Sequence, residues 1–383
     1  MVAENVSASS RESSVKRRSE SVGRPLRITH YYPRALVGDG GCTWAVRGWA
    51  AALAAAGADV TVGYDAEGEL PDPLVRWEQV PHRGRQRLRA PVSLEFVVEE
   101  ADLLVLHSGW VYHNARASKL ALRTGTPYIL TPHGAYDPNV MHRRAMSKQL
   151  WWRLVERSLI DRALGIHVFF DGERDYLRNL GYTGPFIVAP TGLSAPTYAE
   201  PDRARGSYLL WMGRFDLEHK GIDLLLHALS VLPADLRPPT LLRGPDWRGG
   251  KARAIRMIRE LGLAGSVHVG PPAYDEQKWA LMQGARLFVF PSRWESFGII
   301  ALEAAAMGLP ILATDTTFLG RALAAQGAAL LSKPDPNSIA SGITTGWSPS
   351  AAPLGRRAAQ VARDDFSWPH AARSFLDQVE SIL

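Results

Sequence analysis

Short apolar runs alternate with longer stretches whose apolar positions recur every three or four residues along most of the chain. Runs such as DLLVLH (Asp102–His107), PYILT (Pro127–Thr131) and LFVF (Leu287–Phe290) are almost unbroken by polar residues, as strands buried on both faces are. The same reading gives strands at RITHYY (from Arg27), Val60–Tyr64, Leu74–Pro81, Gly165–Phe169 and Phe186–Ala189. Between them fall helices at Thr43–Ala56, Val111–Arg123, Arg144–Ala163 (one long amphipathic helix) and Glu173–Leu180. Ser194–Gly206 has prolines, mixed charges and no apolar period, which marks a linker. The alternation then restarts with strands at Tyr208–Met212, Thr240–Arg243, Val267–Val269, Leu287–Phe290, Ile311–Thr314 and Ala328–Leu331, and helices at Leu354–Asp364 and Pro369–Leu383 close the chain.

Strands alternating with helices at this spacing imply parallel βαβ units. The expected architecture is therefore α/β: two Rossmann-like, doubly wound domains facing each other across a cleft, with ligands at the carboxyl ends of the strands. The expected boundaries are a disordered basic tail at 1–25, a first domain at 26–193, the linker at 194–206, a second domain at 207–365 and a final helix at 366–383. A chain of 383 residues exceeds what one core supports, which agrees with two domains.

Composition narrows the classes. The 46% hydrophobic and 21% charged fractions are those of an ordinary globular protein. A net charge of +6 suits a phosphorylated ligand or an anionic membrane face. The basic residues are not interleaved with aromatics in one module, so no nucleic-acid partner is expected. The lone Cys42 excludes an internal disulfide and a cysteine-built zinc site, and fits a reducing compartment. No run approaches the ~18 apolar residues of a membrane span, and residues 1–25 lack the apolar core of a secretory signal.

Candidate chemistry concentrates in Leu287–Pro310, LFVFPSRWESFGIIALEAAAMGLP. A buried strand is followed by a loop carrying Glu295, and Gly298 opens an apolar helix whose only charge is Glu303. Helix-start amides and the dipole's positive end suit a diphosphate, and a glycine there lets the anion come close. Two acids eight residues apart also describe a solvated face, but a carboxylate inside an apolar helix must be paired or used. A second turn, GRFDLEHKG (Gly213–Gly221), follows the strand YLLWM and places Arg214 and Lys220 at a carboxyl edge, where both can grip a diphosphate. Gly40-Gly41 after the first strand permits close approach of an anion, although the pair is equally a plain turn. His133 in TPHG, like His30 and His107, stands at a strand end, where a structural histidine is the ordinary reading. Glu173 reads as a cap of its own helix.

Together these residues resemble glycosyltransferase family 4, the retaining enzymes of the GT-B fold. The resemblance runs from about Arg27 to Leu383 and is carried by Glu295-Ser296-Phe297-Gly298 through Glu303-Ala304, by Met307-Gly308-Leu309-Pro310, and by GR…KG from Gly213. The runs DLLVLHSGW, PYILTPHGAYDP and LVERSLIDRA look like the subgroup that builds exopolysaccharide or other surface glycans. The resemblance implies that Glu303 binds ribose hydroxyls and Glu295 the donor sugar, and that Arg214 and Lys220 hold the diphosphate with the amides at Phe297, Gly298 and Ile299 and the glycine loop at Gly40 and Gly41. His133 would meet the sugar. The first domain would be the acceptor side, with the final helix packing back on it. Two positions depart from the family pattern: Thr191-Gly192 stands for the usual Asn-Gly, and Phe169-Phe170-Asp171 for the Ser or Thr before Glu173.

The implied activity is transfer of a sugar from a nucleotide-diphosphate donor to a glycan, lipid-linked or small-molecule acceptor, with Glu295, His133, Arg214 and Lys220 as the catalytic set. No Asp-x-Asp occurs, so no essential metal and no further cofactor is expected. The expected location is cytoplasmic, with peripheral contact at the inner membrane face through Lys16-Arg17-Arg18, Arg83–Arg89 and His142-Arg143-Arg144. Alternatives are a related GT-B enzyme (a nucleotide-sugar epimerase or sugar phosphorylase), a glycoside hydrolase using the two acids, and a non-catalytic membrane-docked sugar-nucleotide binder.

Overall fold

The computed structural model describes residues 24–35, 40–66, 72–83, 90–142, 145–193 and 206–383. The chain divides into two compact units, residues 1–192 with 368–383, and residues 193–367. Residues 1–23 of the expected tail with Lys16-Arg17-Arg18, residues 194–205 of the linker, residues 84–89, and Arg143-Arg144 lie outside the described residues.

In unit 1 the strands are β1 (Arg27–Ala35), β2 (Asp59–Ala66), β3 (Val75–Gln79), β4 (His82–Arg83), β5 (Ala90–Pro91), β6 (Leu103–His107), β7 (Tyr128–Thr131), β8 (Gly165–Val168) and β9 (Phe186–Val188). Seven of them form a parallel sheet in the order β3-β2-β1-β6-β7-β8-β9, and β4 and β5 form a separate antiparallel pair. Strand alternation sorts the side chains into two cores. Ile28, Val105 and Ile129 face the helices Gly41–Ala55 and Trp368–Ile382, against Trp49, Leu53, Phe375 and Val379. Tyr31, Leu104, Leu106 and Leu130 face the other side, against Leu120, Leu159 and Ile160. Truncating a buried aromatic of this kind to alanine typically costs about 3–5 kcal/mol. The last helix is thus part of unit 1's core.

Unit 2 repeats the plan with β10 (Tyr208–Met212), β11 (Thr240–Arg243), β12 (Val267–Gly270), β13 (Ala285–Phe290), β14 (Ile311–Thr314) and β15 (Leu330–Ser332), all parallel in the order β12-β11-β10-β13-β14-β15. In both sheets the order reverses beside the first strand, between β1 and β6 and between β10 and β13, which is where doubly wound sheets bind ligands. Among the described residues no helix is long and apolar enough to cross a membrane.

Three expectations are corrected. The first helix begins at Gly41, capped by Gly40, so Gly41 belongs to its first turn and not to a loop. The segment expected as one amphipathic helix over Arg144–Ala163 is Ala145–Trp151, a π-helical turn at Trp152–Glu156, and Arg157–Asp161. A π turn inserts a residue and shifts the helix phase; Glu156 ends up buried, while Leu150 and Leu154 face outward. There its Oε1 accepts from the Tyr136 hydroxyl (2.6 Å) and the Trp110 amide (2.8 Å), and its Oε2 from the Trp151 indole (2.9 Å). Third, Glu173 does not cap its own helix. Its Oε1 reaches back to accept the amides of Phe169 (2.8 Å) and Phe170 (3.0 Å), the turn after β8.

Burial pushes the Glu173 carboxyl up from 4.5 to about 8, outweighing those two amides. The native state then holds a proton that the unfolded chain releases, so stability declines as pH rises from 4.5 towards 8. Glu173→Gln keeps an acceptor oxygen and removes the titration. Melting temperatures taken from pH 5 to pH 8 are expected to fall less steeply in the variant; parallel curves would refute the assignment.

Candidate active site

At the reversal point of unit 2, two turns meet. After β10 the chain makes Gly213–Gly221, with a short helix at Leu217–Lys220 capped by Asp216, whose carboxylate accepts from the His219 amide. After β13 it makes the Pro291–Phe297 turn. Gly221 has a left-handed φ of 62°, and a Cβ there would stand 1.9 Å from the Pro291 carbonyl oxygen, so only glycine lets the turns touch. Arg293 locks them further: its amide donates to the His219 carbonyl (3.0 Å) and its guanidinium grips Asp223 bidentately at 2.7 and 2.8 Å.

This places Lys220 and Glu295 in direct contact, Nζ to Oε1, with side chains 15% and 7% exposed. Ser292 donates to the same oxygen at 2.8 Å. Burial alone would raise the Glu295 carboxyl; the Lys220 ammonium and the Ser292 hydroxyl outweigh it and hold it below its ordinary value, so it is ionised at neutral pH. His219 stacks flat on Trp294, centroids 4.6 Å apart and planes within 2°. Burial, with Lys220 and Arg214 nearby, lowers its imidazole to about 4 against the opposing pull of Glu295 and Asp216, so it is neutral. Arg214 is exposed, its guanidinium 4.5 Å above the Trp247 ring. Among the described residues no ion pair joins Arg214 to either acid.

Gly298 caps the helix Ile299–Ala306 at φ 100°, and a Cβ there would fall 2.7 Å from the Phe290 ring. Phe297 is buried against Phe366, ring centroids 6.1 Å apart, while Ile299 is half-buried at the helix start. The first-turn amides of such a helix have no intrahelical acceptor. Glu303, one turn in, is buried and takes an ion pair from Lys278 at 2.6 Å. Burial wins there, and the Glu303 carboxyl is raised in spite of Lys278.

In unit 1 the structure places Gly40 and Gly41, both exposed, at the amino end of a 15-residue helix. His133 follows β7 with φ 52°; its Nε2 is 2.9 Å from His107 Nδ1, and its ring lies against Phe169. Lys278, His219 and Trp247 were not singled out in the sequence. Lys278 lies on another helix 25 residues before Glu303, a separation that leaves no local pattern; only the demand of a buried carboxylate for a partner pointed to it.

Residues 200–346 match the family model of glycosyl transferases group 1, and residues 40–192 match that of the glycosyl transferase 4-like domain. The chain is similar to the GDP-mannose:cellobiosyl-diphosphopolyprenol alpha-mannosyltransferase of Xanthomonas campestris, 25% identical over 311 residues, covering 80% of each chain. It also superposes on solved structures. Sucrose-phosphate synthase from Thermosynechococcus elongatus aligns with TM-score 0.72 and 22% identity, over 93% of this chain and 99% of that one. HepE from Anabaena in complex with UDP and glucose aligns with TM-score 0.72 and 16% identity, over 93% and 100%. The fold is GT-B.

Removing one member of a buried ion pair typically costs about 3–5 kcal/mol, because the other charge is left uncompensated. Lys220→Ala is therefore expected to destabilise by about that amount, and Glu295→Gln added to it to recover a large part. Urea unfolding of both single variants and the double variant measures this; strictly additive losses would mean the two groups do not interact.

Proposed function

The chain belongs to the glycosyl transferases group 1 family and is a glycosyltransferase; we propose that it is a retaining one, which takes its sugar from a nucleotide-diphosphate donor and delivers it to a lipid-linked glycan in surface polysaccharide or glycoconjugate synthesis. The observation that carries this reading is the pairing of Lys220 with Glu295 beside an exposed Arg214 and the Gly298 helix start. Breaking the bond to the anomeric carbon leaves negative charge on the diphosphate. Fixed cations and amide dipoles at that point stabilise it without reorganisation, commonly the largest catalytic contribution. In this assignment Arg214 and Lys220 grip the diphosphate with the amides at Phe297, Gly298 and Ile299, and Glu295 accepts from hydroxyls of the sugar. Glu303, held by Lys278, accepts from the ribose. The family resemblance assigns His133 to the sugar and the amides of Gly40 and Gly41 to the diphosphate.

These cations supply the charge that a divalent ion would otherwise bring, so we assign no essential metal and no further cofactor. Retention is compatible with front-face attack, in which a departing phosphate oxygen takes the acceptor's proton. The Xanthomonas relative is named for a guanosine donor and HepE was solved with UDP, so both bases belong in any donor screen.

Arg214 lies on the surface, and its loss should leave stability within about 0.5 kcal/mol. Arg214→Ala is expected to lower kcat about 10²–10³-fold, the range for removing one charge-stabilising group. Nucleoside diphosphate should appear only when acceptor is present, and turnover should persist in excess EDTA. A thermal-shift panel of UDP, GDP and ADP with their sugars identifies the donor, since a ligand bound only by the native state raises Tm. Undiminished turnover in Arg214→Ala, or a need for added metal, would refute the assignment.

The location that goes with a lipid-linked acceptor is cytoplasmic, at the inner face of the membrane. Met146, Leu150 and Leu154, four residues apart along the broken helix, are 85%, 61% and 71% exposed, with Arg153 exposed beside them. An exposed apolar row flanked by cations suits the boundary of an anionic leaflet. The chain is expected to pellet with phosphatidylglycerol-containing vesicles at low salt, and Met146→Gln/Leu150→Gln/Leu154→Gln to stay in the supernatant. Equal pelleting of the two, or none by the parent chain, would end the proposal of membrane contact.

A further inference from the structure

Unit 1 buries a row of histidines that the assigned chemistry uses only at its last member. Register explains the row. His30 on β1 pairs with Val105 on β6, and His107 lies two residues on; His107 pairs with Thr131 on β7, and His133 again lies two residues on. Side chains two residues apart share a sheet face, so the three rings climb diagonally across neighbouring strands to the carboxyl edge. Neighbouring rings meet edge to edge, near-parallel, with 5.2 Å between centroids at each step. His30 Nδ1 lies 3.0 Å from His107 Nε2, and His107 Nδ1 lies 2.9 Å from His133 Nε2.

All three are neutral. Burial lowers His30 and His133 to about 3 and His107 well below its ordinary value. A neutral imidazole has one N–H and one bare nitrogen, so each contact needs a donor facing an acceptor and the chain has only two self-consistent orientations. In one, every Nδ1 carries the proton, and the far end is a bare His30 Nε2. In the other, every Nε2 carries it, and the far end is an N–H on His30. His30 Nε2 is buried and has no hydrogen-bond partner among the described residues. A buried N–H without an acceptor is the rarer and costlier defect, so the first orientation is favoured. His167, the next histidine along, shows the opposite setting. Its Nε2 must donate to the Ala189 carbonyl at 2.9 Å, which leaves its Nδ1 to accept from Thr131 at 3.1 Å.

We infer that His30 and His107 are positioning residues that fix the proton of His133 on Nδ1, so that His133 meets the donor sugar as a hydrogen-bond donor. The second half of that statement rests on the reading that His133 touches the donor; the first does not. Nδ1 of His133 makes no hydrogen bond among the described residues, and the residue as a whole is half-buried. A nitrogen already holding its proton cannot take one from the acceptor hydroxyl, so His133 is no general base. It donates to a sugar oxygen, and the acceptor's proton leaves by another route.

The test uses the full chain with histidine ring nitrogens labelled with ¹⁵N. A long-range ¹H–¹⁵N spectrum at pH 7, with His133 assigned by its loss in His133→Asn, is expected to show Nδ1 protonated and Nε2 bare. A proton on Nε2, or an imidazolium, overturns the inference, and this reading needs no variant that must fold. In activity, His30→Phe is expected to lower kcat about tenfold at nearly unchanged donor KM, the effect of roughly one hydrogen bond. His30→Asn, whose amide N–H stands where Nδ1–H stood, is expected to restore most of it. Unchanged kcat in a well-folded His30→Phe overturns the positioning role. Full activity in His133→Asn overturns the sugar contact itself, a result separate from the tautomer seen in the spectrum.

Discussion

One contact organises the second unit: the ammonium of Lys220 against the buried carboxylate of Glu295. A carboxylate with 7% of its side chain exposed is costly to ionise unless a cation is fixed beside it. The cation can be fixed only if two turns, separated by 75 residues in sequence, are pinned together. Gly221 against Pro291 and Arg293 against Asp223 do the pinning. Beside the pair, Arg214 has no ion-pair partner among the described residues, and the Gly298 helix start presents first-turn amides without intrahelical acceptors. Under the proposed function these groups are fixed before any donor arrives, and preorganisation of this kind separates electrostatic catalysis from mere attraction.

The first unit solves a different problem, that of keeping polar groups inside a doubly covered sheet. Glu156 is satisfied by a phenol, an amide and an indole, and Glu173 by two amides of a single turn. The histidine row is satisfied by its own members between its two ends, His30 Nε2 and His133 Nδ1, which have no hydrogen-bond partner among the described residues. Where the two units differ is in sign and exposure. Unit 2 presents charge at its switch point, while unit 1 holds a row of neutral histidines whose orientation is set from within.

Much of this was legible in the sequence because buried parallel strands write themselves as unbroken apolar runs. LLVLH, YILT and LFVF each mark an interior strand of its sheet. The ends were less legible. The third-strand run Leu74–Pro81 shortens to Val75–Gln79, and the run at Ala328 becomes Leu330–Ser332, since edge strands are held by fewer bonds. The π turn at Trp152–Glu156 was hidden because amphipathic periodicity tolerates one inserted residue. For the site, Lys220 and Glu295 were readable as motif members. Lys278 and the His219–Trp294 stack were not, since nothing local in the sequence signals a partner on a different helix or a ring lying flat on a ring.

The helix Trp368–Ile382 has a bearing on how the molecule comes into being. Its Ala371, Ala372, Phe375 and Val379 complete the same core as Trp49 and Leu53, yet they are made after every residue of unit 2. On the ribosome the unit begun first is therefore the one finished last. Its apolar face waits open while some 175 residues of its neighbour are synthesised, an interval in which a chaperone has something to hold.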